Sequence, residues 1–196
     1  MEYGVNSAMR YVKEVDTKCP HGIYIYDRDR DLWMLVRSDG DAFEPSEDGV
    51  YVIYFDNTKC PACRKYDTIW FPFVRKWSKE HHNHRFVIIL CDWFARECKS
   101  KAASNSFRKY DVHASPTTVI TYVKGGKRVY DEKYEGVLYE FELKLILEGF
   151  EERANKHLRG EKVELPIKKE SVEASLQKLI AEIIKQLLTS MESKSR

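Results

Sequence analysis

The chain has 196 residues, a formal net charge of +2, 43% hydrophobic residues and 33% charged residues. So balanced a charge argues against a dedicated nucleic-acid binder, which needs a basic excess to neutralise phosphates, and the apolar content argues against a disordered chain. No apolar run reaches the roughly 20 residues that span a bilayer, and Met1 to Ser7 lacks the charged-then-apolar plan of a signal peptide, so the expected compartment is the cytoplasm.

Residues 5–16 carry Val5, Met9, Tyr11, Val12 and Val15 at rough helical spacing and predict a short helix. Ile23 to Tyr26 and Leu32 to Val36 flank a charged turn and read as a β-hairpin. Ser38 to Gly49 is a loop. Val50 to Phe55 is a continuous apolar run of the kind a strand buried on both faces carries. A helical pattern follows from about Pro61 to Lys79, with Pro61 suited to its first turn and Pro72 expected to kink it. Phe86 to Cys91 reads as a second buried strand, Ala95 to Tyr110 as a helix and Thr118 to Val123 as a third strand. Gly125-Gly126 turns into a fourth strand, Lys127 to Tyr134. A helix is expected from about Leu138 to His157. The organisation read from this is an N-terminal extension (1–49), an α/β domain with a central mixed sheet flanked by helices (50–157), a linker (158–170) and an amphipathic helix (171–192).

Cysteines stand at 19, 60, 63, 91 and 98. An odd number without a secretion signal does not suggest a disulfide framework, and Cys60-x-x-Cys63 reads as redox chemistry first and half a zinc site second. The histidines at 81, 82 and 84 could complete a zinc set, but the helical stretch between would hold them about a helix length away. A purely structural disulfide is a further reading of the pair. Cys91 and Cys98 read as small buried apolar residues, with a bridge between them as the alternative. Cys19 reads as a lone thiol.

Cys60-Pro61-Ala62-Cys63 sits between a buried strand and a helix, and Ala114-Ser115-Pro116-Thr117-Thr118 opens another strand before the Gly125-Gly126 hairpin and Gly136. Over about residues 50–155 this resembles the thioredoxin superfamily, and the Lys-, Arg- and Glu-rich composition, with Gln only at 177 and 186, is of the kind seen in thermophile proteins. The resemblance implies a thioredoxin-like fold, a redox-active Cys60–Cys63 disulfide with no other cofactor and no metal, and protein disulfide substrates served by an electron donor or acceptor. It implies a cis peptide before Pro116, and a substrate groove formed by Ser115, Pro116, Pro61 and Ala62. The chain departs from the family at Lys59, where a tryptophan is usual, and at Tyr54, where thioredoxins carry a buried aspartate. Ile88 stands where their matching lysine is expected.

The chemistry follows from the spacing. Cys60 at a helix N-terminus meets free backbone N–H groups and the positive end of the helix dipole, which favour the thiolate that attacks disulfides. Lys59, Arg64 and Lys65 are expected to add positive charge. Cys63, one turn on, is placed to resolve the mixed disulfide. Without an acid at Tyr54, Cys63 needs another base, water or the substrate thiolate, and reductase turnover is expected to be slow. The rival to an oxidoreductase is a binding module or redox sensor that presents its peptide groove or C-terminal helix. That helix carries a wide apolar stripe and is also the expected route to a homodimer.

Overall fold

The computed structural model describes residues 11–167 and residue 180. The chain divides into two compact units, residues 1–166 and 167–196. The expected helix over 171–192, and the dimer it would support, lie outside the described residues apart from Ile180, which is helical.

The first unit is built on one mixed seven-stranded sheet in the order β1-β3-β2-β5-β4-β6-β7. The strands are β1 (Tyr11–Val12), β2 (Gly22–Asp27), β3 (Leu32–Arg37), β4 (Gly49–Asn57), β5 (His84–Cys91), β6 (Thr117–Lys124) and β7 (Lys127–Glu135). The helices are α1 (Pro61–Trp77), α2 (Lys101–Lys109), α3 (Glu140–Glu148) and α4 (Phe150–Leu158). Among the described strands only β4 and β5 pair in parallel, joined by α1 as the crossover; the other strand pairs are antiparallel.

Burial explains the central strands. From Val50 to Asn57 every residue of β4 is buried, which accounts for its unbroken apolar run. Alternation divides that run between two layers. Tyr54 meets Tyr66 edge to face and Trp70 at a tilt on α1, with ring centroids 4.9 and 5.2 Å apart, while Phe55 meets Phe107 of α2 at 5.0 Å. Gly125 and Gly126 both take positive φ, 61° and 72°, as the tight β6–β7 turn requires.

Four expectations change. Part of the helix read over 5–16 lies outside the described residues; within the rest, Tyr11 and Val12 pair with Trp33 and Met34 as an edge strand, which suits aromatic and β-branched residues. The helix read from Ala95 starts only at Lys101, capped by Ser100, whose side chain accepts from the Ala103 N–H at 3.0 Å. The reason lies upstream: Cys91 and Cys98 form a disulfide with Cα atoms 4.7 Å apart, so residues 92–98 are a cross-linked loop and the reading of two free cysteines is corrected. The helix read over 138–157 is two helices meeting at Gly149.

Candidate active site

The site begins where β4 ends. Thr58 N–H donates to Cys91 O at 2.9 Å and Lys59 N–H to Asp92 O at 3.3 Å, so the turn after β4 is tied to the end of β5. Cys60 then takes the N-cap of α1 in extended conformation (φ −97°, ψ 112°), and its Sγ accepts from the Cys63 N–H at 3.3 Å. Pro61 fills the first helical position, where its missing N–H costs no hydrogen bond. Pro61 is exposed and Ala62 partly so. Both thiols are free and buried, Cys60 at 5% exposure and Cys63 at 0%.

Ser115 and Pro116 face this pair across the sheet. The Ser115–Pro116 peptide is cis, and Pro116 O accepts from the Gly136 N–H at 2.8 Å. Cys60 Sγ lies 3.5 Å from Ser115 O, and Cys63 Sγ lies 3.0 Å from Ser115 Oγ. Asn57 Nδ2 donates to the same hydroxyl at 2.7 Å, fixing the serine from the opposite side. One residue on the β6 approach therefore touches both sulfurs, one through its backbone and one through its side chain.

The cations expected around Cys60 are committed elsewhere. Lys59 pairs with Glu97, and Lys65 Nζ donates to Tyr139 Oη at 3.3 Å. Arg64 turns inward, hydrogen-bonds Asp56 Oδ1, and reaches Asp67 Oδ2 at 3.1 Å. Asp56 is fully buried on β4, two residues beyond Tyr54 and so on the same face of the strand. That face therefore carries a buried acid two residues after Tyr54, with Arg64 as its counter-ion. Tyr54 Oη bridges the cluster, 3.3 Å from Cys63 O and 3.0 Å from Asp67 Oδ1.

These groups shift one another. Burial raises the proton affinity of Asp56 despite the pull of Arg64. Burial, with the Asp56 charge second, pushes Asp67 up to about 7. Burial and then the Asp56 charge push the Cys63 thiol well above its ordinary value, against the hydrogen bond from Ser115. Asp56 Oδ2 has no hydrogen-bond partner among the described residues. Asp56 carried one readable signal: a charge closing an otherwise apolar strand, at a spacing that puts it against the active-site helix.

The histidines of the zinc reading lie at the other end of α1, a 17-residue helix and so roughly 25 Å long. His81 stacks on Trp77 with centroids 3.8 Å apart, and His84 Nδ1 accepts from Trp77 Nε1 at 2.8 Å. Among the described residues no three His, Cys, Asp or Glu side chains gather as a metal site.

A parallel strand–helix–strand unit, a further helix, an antiparallel hairpin entered through a cis-proline and a closing helix together make a thioredoxin-like α/β fold, with the Cys-x-x-Cys pair at the N-terminus of its first crossover helix. No family model matches the chain, and no curated protein does. Solved structures similar to it include thioredoxin from Aeropyrum pernix, with 17% identity, 69% of this chain and 97% of that one covered, and a TM-score of 0.43. Thioredoxin O2 from Arabidopsis thaliana shares 23% identity over 52% of this chain and 74% of that one, with a TM-score of 0.35. Fasciola hepatica thioredoxin shares 24% over 50% and 77%, with a TM-score of 0.34.

Proposed function

We propose that the protein is a cytoplasmic thiol–disulfide oxidoreductase acting on protein disulfides, with Cys60 as nucleophile and Cys63 as resolving thiol. The observation that carries this is the convergence of both sulfurs on Ser115 at a helix N-terminus.

In the first step the Cys60 thiolate attacks one sulfur of the substrate disulfide. A mixed disulfide forms, and the other substrate sulfur leaves as a thiolate that takes a proton. Cys63 then loses its proton and attacks Cys60 Sγ. The mixed disulfide breaks, the second substrate sulfur leaves as a thiol, and a Cys60–Cys63 disulfide remains for a dithiol donor to reduce. Burial of Cys63 holds it protonated until the second step, which protects the mixed disulfide from early resolution. We assign acceptance of the Cys63 proton to Asp56, whose charge acts on that thiol and whose Oδ2 is free to take a hydrogen bond. Ser115 presents its carbonyl beside Cys60, and an extended substrate segment pairs with the backbone there, between Pro116 and the Pro61-Ala62 turn.

The test is turnover of hydroxyethyl disulfide and of insulin with dithiothreitol as donor. The wild-type protein should exceed dithiothreitol alone, Cys60→Ser should lose that excess, and Cys63→Ser should trap a substrate adduct visible by mass. Turnover no faster than dithiothreitol alone would sink the proposal.

A further inference from the structure

The loop between β5 and α2 builds a second feature beside the dithiol. Trp93 is 40% exposed, and its ring meets Phe94 edge to face with centroids 5.0 Å apart. Phe94 stands at φ 51°, a left-handed conformation that bulky residues seldom adopt, and its N–H donates to Asn57 Oδ1 at 2.6 Å. The Cys91–Cys98 bridge closes the loop behind it. With Phe107 and Val112, these rings line an open cleft of about 420 Å³ whose rim carries Arg96 and Arg108. That is room for one aromatic side chain and the backbone on either side of it.

Among the described residues no carboxylate lines this cleft, although the wall residue His113 pairs with Asp111 at 2.6 Å. Every other described arginine hydrogen-bonds a carboxylate or a backbone carbonyl. Arg96 and Arg108 are exposed, and neither guanidinium has a hydrogen bond or ion pair with a described residue. In a chain that engages its guanidiniums so regularly, two idle ones at the mouth of an apolar cleft fit an anionic ligand, which a guanidinium can hold through two parallel hydrogen bonds. The cleft is linked to the cysteine site through Asn57. His113 on its wall lies two residues before Ser115, and Asn57 holds both the Phe94 N–H and the Ser115 hydroxyl.

We propose that this cleft docks an extended segment of the dithiol's protein partner, with an aromatic side chain against Trp93 and Phe94 and flanking Asp or Glu side chains on Arg96 and Arg108. The partner's role as a disulfide substrate rests on the function proposed above; the binding itself does not.

The test uses the full chain and two synthetic peptides without cysteine, one with a central Phe flanked by Glu and one with the same Phe flanked by Lys, titrated by tryptophan fluorescence. The Glu peptide should bind roughly tenfold tighter than the Lys peptide at low salt, and Arg96→Glu with Arg108→Glu should reverse the order. Disulfide-bearing versions of the two peptides should differ in KM by a similar factor. Equal binding of the two peptides, or an order that charge reversal leaves intact, overturns the proposal. So does a fall in molar mass by light scattering in the charge-reversed variant, which would assign the cleft to a second copy of the chain. Binding of the Glu peptide with no turnover of hydroxyethyl disulfide would uphold the cleft and sink the oxidoreductase reading instead.

Discussion

Replacing Arg64 by Met removes the cation that faces Asp56 and Asp67 and keeps most of the side-chain volume. Asp56 is fully buried, and Arg64 itself is only 30% exposed. Deleting one partner of a buried ion pair leaves an uncompensated charge and typically costs about 3–5 kcal/mol. Partial access of solvent to Arg64 puts the expected loss near the lower end, about 3 kcal/mol at pH 8. The loss should depend on pH with a definite sign. Without Arg64, both carboxyls hold protons more tightly in the native state, while in the unfolded chain they titrate near 3.9. The native variant then binds protons that the unfolded chain does not, so its stability falls as pH rises above about 4. Each pH unit with one extra native proton is worth about 1.4 kcal/mol, so lowering the pH from 8 to 6 should recover most of the loss. Urea unfolding followed by tryptophan fluorescence at pH 6 and 8 measures this, with Asp56→Asn added to relieve the orphaned charge. A penalty equal at the two pH values, or one that Asp56→Asn does not reduce, would mean that the Arg64 stem acts by packing, and the electrostatic account of the cluster would be wrong.

Asp56→Asn alone should lower the proton affinity of Cys63, because the Asp56 charge helps to hold that thiol up. In a Cys60→Ser background, alkylation of Cys63 by iodoacetamide at pH 9 should speed up roughly tenfold, the effect of about one pKa unit; an unchanged rate would separate the two groups. Replacing both Cys91 and Cys98 by Ser opens a loop of sequence separation 7 and should cost about 2 kcal/mol in urea unfolding, whereas an unchanged midpoint would mean the bridge adds nothing to stability. His84 accepts from Trp77 Nε1, and burial lowers its pKa to about 4. The unfolded chain therefore binds the extra proton between pH 4 and 6.5, and stability from this group, about 3 kcal/mol, is lost as pH falls through that window. Asp67, raised to about 7, acts in the opposite sense and favours the native state toward low pH. His84→Gln keeps an acceptor for Trp77 and should flatten the acid limb of the stability curve; an unaltered limb would assign acid sensitivity to other groups.

The parts of the fold that were legible share one physical cause. A strand buried on both faces cannot alternate, so β4 and β5 announce themselves as apolar runs whatever surrounds them. A two-residue turn with positive φ at both positions selects Gly125 and Gly126. A cysteine at a helix N-cap followed by proline is equally local, and Cys60-Pro61 carries it. What failed was non-local. Ala95, Arg96, Glu97 and Lys99 are good helix formers, and their local preference loses to a cross-link between Cys91 and Cys98 that no propensity encodes.

The acid at the site shows the same division more sharply. Tyr54 stands where thioredoxins carry a buried aspartate. Period-2 geometry puts a different question, namely which side chains of β4 share the face toward α1, and that set contains both Tyr54 and Asp56. A fully buried carboxylate in an apolar strand is too costly to stand alone, so Asp56 implies a cation from the element packed on that face. Among the first residues of α1, Arg64 is the one whose guanidinium turns inward, while Lys65 faces outward to Tyr139. The carboxylate and its counter-ion therefore follow from strand alternation and the cost of burying charge, whereas the engagement of Lys59 by Glu97 depends on where the 92–98 loop closes and could come only from the folded chain.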